Sequence, residues 1–283
     1  IETIGEMAFG FCQRLVTVKL SASYTTIANA TFYYCVNLKD FDFSHIERIE
    51  SMAFFLTDLP KNLVLENVTY LGDRAFVESD QRHSLESVTA PKLTYIGLEA
   101  FSGCTRLRRF SAPALEHIGD YAFIATALVE FEVGAALREV GKSVFIQCED
   151  FEEFFATENG EKVYDKVFDN IKIKDGVLYT VTSTGYVLSS YPVAKTEETL
   201  EVVDGTVRIE LGAALGNKHL QTVILPGSLK YIGNLSFMGC ESLEKVQFKS
   251  YYAPTLEGTW TGSLEEITPE NMEDFVALDK LSK

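Results

Sequence analysis

Five cysteines and four histidines are the side chains through which this chain would bind a metal, form disulfides or carry a nucleophile. The cysteines, Cys12, Cys35, Cys104, Cys148 and Cys240, include no Cys-x-x-Cys pair of the kind that brings structural zinc ligands together. His45, His83, His117 and His219 are scattered, with no His-Glu-x-x-His spacing, and read as solvent or loop residues. The sequence has no Gly-x-Ser-x-Gly elbow, no phosphate-binding glycine loop and no dinucleotide fingerprint. Serines such as Ser111 and Ser143 have no base that the sequence nominates. The expectation is a non-enzymatic protein with no catalytic residue, metal or cofactor.

Carboxylates are the other groups in quantity. One run holds Glu149, Asp150, Glu152, Glu153, Glu158 and Glu161, and the tail holds Glu257, Glu265, Glu266, Glu270, Glu273, Asp274 and Asp279. Neither has the Asp-x-Asp-x-Asp-Gly spacing of a calcium loop, so both read as solvated acidic faces, with calcium left open. With 25 Lys and Arg against 41 Asp and Glu the net charge is −16, which repels nucleic acid over most of the surface. The longest uncharged stretch, Gly176 to Ala194, is interrupted by serines, threonines and Pro192 and is not a helical membrane span.

What would position these groups is a repeat. Ile4-Gly5-Glu6-Met7-Ala8-Phe9 returns as Ile96-Gly97-Leu98-Glu99-Ala100-Phe101 and, more loosely, at Ile232-Gly233 through Phe237. Taking the Ile as origin, units begin at Ile4, Ile27, Ile49, Leu71, Ile96, Ile118, Val140, Ile209 and Ile232, spaced by 22 to 25 residues except for one gap of 69. As 69 is three times 23, the gap predicts two degenerate units with origins at Val163 and Tyr186, supplying Phe168 and Tyr191 to the aromatic slot five residues on. This makes about eleven units over residues 1–260, with 157–208 degenerate. Residues 261–283 follow as a helical cap, N-capped by Thr268 with Pro269 in its first turn. Thr255 and Trp260 suggest a further half-unit.

Each unit has two pieces. Leu15-x-x-Val18-x-Leu20 alternates with period two, as a short strand with one buried face requires. Ile-Gly-x-x-Ala-Phe spaces its apolar residues by about four, as a helical turn would. Glycine after the origin marks positive φ or close backbone approach. No unit of this length buries its own apolar face, whereas stacked units share one core. All five cysteines fall eight residues after an origin, in a slot elsewhere held by Thr57, Ser79, Thr126, Ile171, Ala194 and Asn217. Such a slot asks for a small buried side chain, so the cysteines are expected to be a reduced, buried structural ladder. Cys104 and Cys148 are two units apart, roughly 10 Å at the strand spacing and beyond the disulfide limit, so only Cys12 and Cys35 come close enough to pair.

The pattern Leu-x-x-Val-x-Leu followed by Leu-x-x-Ile-Gly-x-x-Ala-Phe-x-x-Cys resembles the BspA-like, or Treponema pallidum type, leucine-rich repeat. Asp175-Gly176-Val177-Leu178-Tyr179 with Tyr186 to Pro192 resembles a variant unit of it. The resemblance covers nearly the whole chain. It implies an α/β repeat solenoid, a right-handed leucine-rich-repeat superhelix with a parallel sheet of short strands on one face and short helical turns on the other. For function it implies a bacterial cell-surface or secreted protein that adheres to host proteins or other cells, and it carries no catalytic motif.

The outward strand slots place Arg109 beside an acidic patch of Glu130, Glu132 and Glu153 with Phe155 among them, a candidate protein-binding face for a partner with a basic epitope. The rival readings are a glycan-binding module or glycan-acting enzyme, and a structural spacer of a larger surface protein. The sequons at Asn29, Asn67 and Asn234 read as chance. Ile1 already occupies an inward slot, so the native protein is expected to extend before it.

Overall fold

The computed structural model describes residues 4–78 and 85–249 together with the strand Thr255–Leu256. The repeat folds into stacked coils with three sides. On one side, two-residue strands ending at the origins, Thr26–Ile27, Arg48–Ile49, Tyr70–Leu71, Tyr95–Ile96, His117–Ile118 and Glu139–Val140, form a parallel six-stranded sheet in which each origin lies opposite the next. The second side carries the alternating strands, Thr17–Val18 with Asp40–Phe41, then Asn62–Val64, Ser87–Thr89 and Arg109–Ser111, then Glu130–Glu132 with Glu153–Glu158. Their central residues, among them Leu63, Val88, Phe110, Phe131 and Phe154, are buried, and the flanking ones face outward.

The third side corrects the helical expectation: the described residues contain no helix. Residues three and seven places after an origin have left-handed φ, as in Met52 (57°) and Leu56 (53°), Glu99 (53°) and Gly103 (75°), Tyr121 (56°) and Ala125 (57°). Left-handed residues break a right-handed helix. The consequence is an alternation of backbone bonds. Phe32, Phe54, Phe101 and Phe123 donate their N–H to the carbonyls of Ala53, Ala75, Ala122 and Val144 in the following coil, while the residues between them close turns inside their own coil. A helix keeps all such bonds to itself, whereas this ribbon spends every second one on its neighbour and so extends the stack.

Close approach, not left-handed φ, explains the glycine after the origin. A Cβ on Gly119 would lie 2.5 Å from the backbone carbon of Gly97 in the coil before it. Inside, the aromatic slot forms a column, Phe32, Phe54, Phe76, Phe101, Phe123 and Phe145, with neighbouring ring centroids 5.4–5.6 Å apart.

The 69-residue gap holds one coil of the expected kind and one departure. Val177 and Leu200 lie 23 and 46 residues after Phe154, are buried, and the Phe154 N–H donates to the Gly176 carbonyl. The coil expected from Tyr186 exists, with Tyr191 in the aromatic slot donating to the Ala213 carbonyl, but Leu188, not Tyr186, lies opposite Ile209. The expected unit at Val163 does not form. In its place Glu153–Glu158 turns back onto Glu161–Val163, and Lys166–Val167, Ile171–Lys174, Val177–Thr182 and Gly185–Ser190 make an antiparallel meander. Asn159-Gly160 (52°, 82°) and Asp175-Gly176 (51°, 69°) supply the paired left-handed residues that two-residue hairpins need. Phe168 is only partly buried, and Phe151 extends the column instead, stacked 4.8 Å from Phe145. Beyond the meander, parallel pairing resumes through Thr199–Glu201, Thr222–Leu225 and Lys245–Phe248, and through Thr206–Ile209, Tyr231–Ile232 and Thr255–Leu256. Leu256, not Thr255, lies opposite Ile232, and the expected helical cap, Trp260 and His83 lie outside the described residues.

Candidate functional site

Outward residues of the alternating strands come together by register. Glu130 lies opposite Glu153, and Glu132 opposite Phe155, so three carboxylates and one ring share a patch two strands wide. Arg109 is exposed one strand further along, where the rings of Phe110 and Phe131 stack at 6.1 Å beneath it. Its positive charge acts on Glu86, which hydrogen bonds and charge from Lys61, 2.8 Å away, hold below the ordinary carboxylate range.

The meander adds two residues that the sequence reading did not place here. Lys162, on the returning hairpin strand, forms an ion pair with Glu130 and sits 4.5 Å from the Phe155 ring centroid. The hydrogen bond to Glu130 raises the Lys162 pKa against a smaller opposing effect of desolvation. The phenol of Tyr164 is raised by desolvation first and by its interaction with Glu153 second. The patch is therefore a mixed one, with a cation held over an aromatic ring at the centre of the carboxylates.

The sequence profile of the BspA type Leucine rich repeat region matches in six copies, over residues 1–83, 78–186 and 200–269. The chain belongs to the BspA-type leucine-rich repeat family. A leucine rich cell surface protein of Faecalibacterium prausnitzii superposes with a TM-score of 0.63 at 23% identity, over 88% of this chain and 58% of that one. The pneumococcal vaccine antigen PcpA gives 0.59 at 23% over 72% and 49%, and a leucine-rich repeat protein of Bacteroides ovatus gives 0.51 at 23% over 91% and 72%. The chain thus spans 58% and 49% of the first two structures. No curated protein matches the sequence.

Two further features of this BspA-type solenoid bear on chemistry. In the cysteine slot the side chain is a donor as well as small: the thiols of Cys35, Cys104, Cys148 and Cys240 point 3.0–3.2 Å from the carbonyls of Phe9, Phe76, Phe123 and Ala214, the aromatic-slot residues of the preceding coil. Thr57 repeats this with Phe32 at 2.7 Å, which explains why the slot alternates between Cys and Thr. Burial raises the thiol of Cys104 well above 9.0, those of Cys35 and Cys148 to about 11, and that of Cys240 to about 12. All five cysteines are unpaired by disulfides, and Cys12, in the first described coil, departs from the buried expectation by being exposed.

The second feature is on the origin side. The Arg48 guanidinium lies 3.6 Å over Tyr70, Tyr70 stacks on Tyr95 at 4.8 Å, Tyr95 on His117 at 4.4 Å, and His117 Nδ1 meets Glu139 at 2.9 Å. His117 is thus part of a surface stack and not a scattered loop residue. No described group of three or more His, Cys, Asp or Glu is arranged to hold a metal, and no described helix is long and apolar enough to cross a membrane.

Proposed function

We propose that this repeat protein is a non-enzymatic interaction module, at the cell surface or secreted, that binds a protein partner bearing a basic epitope through Arg109, Glu130, Glu132, Glu153 and Phe155. The observation that carries the reading is the register of Glu130 with Glu153 and Glu132 with Phe155, which gathers charge and one aromatic ring on an outward face with no role in the core. Lys162 and Tyr164 belong to the same surface and orient it. The family and the surface-protein neighbours support the class of function. A glycan-binding reading would draw on the aromatic stack of the origin side. There, however, the faces of Tyr70, Tyr95 and His117 are turned on one another, and a sugar would need them bare.

The test is a binding screen of the chain against immobilised matrix and cell-surface proteins, run beside a glycan array. For a protein so found, the double variant Glu130→Lys with Glu132→Lys is expected to weaken affinity about tenfold or more and flatten its salt dependence. Its melting temperature should barely move, because exposed pairs contribute roughly 0–1 kcal/mol. Unchanged affinity moves the site elsewhere, and binding confined to the glycan array replaces the protein reading.

A further inference from the structure

A regular solenoid has one continuous core, and this one has two. The first runs from Ile27 to Leu178 and includes Ile171 and Ile173; the second holds Val177, Tyr179, Leu188, Tyr191 and the buried residues from Leu200 to Val246. The division passes through the meander sheet. Ile173 and Leu178 are cross-strand partners and both point into the first core, while Tyr179 and Leu188 are cross-strand partners and both point into the second. Alternate residues of Val177–Thr182 thus serve opposite cores, as the period of a strand dictates.

The parallel ladders of the first block stop near the same level, while the meander is hydrogen-bonded to the second block through Gly185–Ser190 on Thr206–Ile209. The six-stranded origin sheet ends at Glu139–Val140, and the alternating-strand sheet ends at Glu161–Val163, to begin again at Thr199–Glu201. Among the described residues the turn side is bridged by Ser143 Oγ donating to the Leu211 carbonyl at 2.6 Å and by Ala194 N–H donating to Phe151. A small cavity lies beside that bridge, lined by Ser143, Ile146, Ser190, Tyr191 and Gly212.

We propose that the meander is a bulkhead, a sheet that seals each core from the other, so that residues 27–178 and residues 177–248 form two cooperative blocks and the second opens while the first stays folded. Coupling between stacked units comes from shared core and shared ladders; here the core divides inside the meander, and the parallel sheets of the first block end before it, leaving isolated backbone bonds such as Phe154 to Gly176 across the level. The smaller block, with fewer coils, is the less stable one.

Hydrogen exchange read by mass spectrometry across a urea titration of the full chain tests this. Peptides from 27–156 and from 200–248 are expected to open at two distinct midpoints, the second lower, with the step falling in 153–190. Leu220→Ala should lower the second midpoint alone and Leu107→Ala the first; if Leu220→Ala does not fold, Val223→Ala replaces it. One common midpoint, a smooth gradient from an end with no step at the meander, or a Val223→Ala shift of both midpoints overturns the proposal. The readout involves no partner, so it is independent of the binding test.

Discussion

Coils 27–145 and the meander 153–190 solve the same problem differently. In the coils, side chains of one slot stack on their own kind: phenylalanine on phenylalanine, thiol or hydroxyl on carbonyl, glycine against backbone. In the meander, hydrogen bonds run within the insertion, between strands joined by tight turns. A position in the coils is therefore held by copies of itself above and below, and a position in the meander by partners unlike itself. Errors should be costly in the first region and local in the second.

The largest test of that contrast lies in the aromatic column. Phe101→Ala removes a fully buried ring stacked on both sides and should cost about 4 kcal/mol, whereas Phe168→Ala, outside the column, should cost about 1 kcal/mol. Chemical denaturation of both variants checks the ratio, and equal losses would erase the distinction. Next comes the backbone. Gly119→Ala forces a Cβ against Gly97 and should cost about 2–3 kcal/mol. By comparison Gly160→Ala, at a hairpin tip with nothing within 4 Å but φ of +82°, should cost about 1 kcal/mol, as thermal melts would show.

The smallest effect concerns the thiols. In the folded chain at pH 8 a thiol reagent should label Cys12 quickly and the four buried cysteines only on unfolding. Their folded pKa values are raised above the ordinary 9.0, so the folded state holds its thiol protons where the unfolded chain releases them. The stability they contribute is complete below pH 9 and is lost as pH rises through 11 to 12, so the melting temperature should be flat up to pH 9 and decline above it, less steeply in Cys148→Ser. Rapid labelling of more than one thiol in the native chain would contradict the ladder geometry.

The coils were legible because every inward slot is repeated, and repetition made Phe32 and Phe237 recognisable as one position. The third side was misread because a helix and a ribbon of turns space their apolar residues alike over so short a span, and the left-handed residues that separate them, such as Met52, Tyr121 and Gln147, are not glycine. The meander was half legible: the 23-residue count placed Tyr191 in the aromatic slot, whereas Val177 lies in a strand that pairs antiparallel on both sides and not in a parallel coil strand. Asn159-Gly160 and Asp175-Gly176 were the hairpin signal that arithmetic alone passed over. At the candidate site, strand alternation placed Glu130, Glu132, Glu153 and Phe155 correctly outward, but Lys162 arrives from a hairpin, and no periodicity could bring it there.

The bridge between Ser143 and Leu211 has a geometric consequence. It brings the coil that starts at Val140 into contact with the one that starts at Ile209 on the turn side, while on the opposite side Val177 and Leu200 intervene between Phe154 and Val223. Three steps on the strand side, roughly 14 Å, face two on the turn side, where Tyr191 and Ala194 lie between the coil that starts at Val140 and the one that starts at Ile209. The two sides of the stack therefore advance unequally across the meander, next to the Glu130 patch. A partner laid across the Glu130 patch and the later strands therefore meets a break in the repeat spacing.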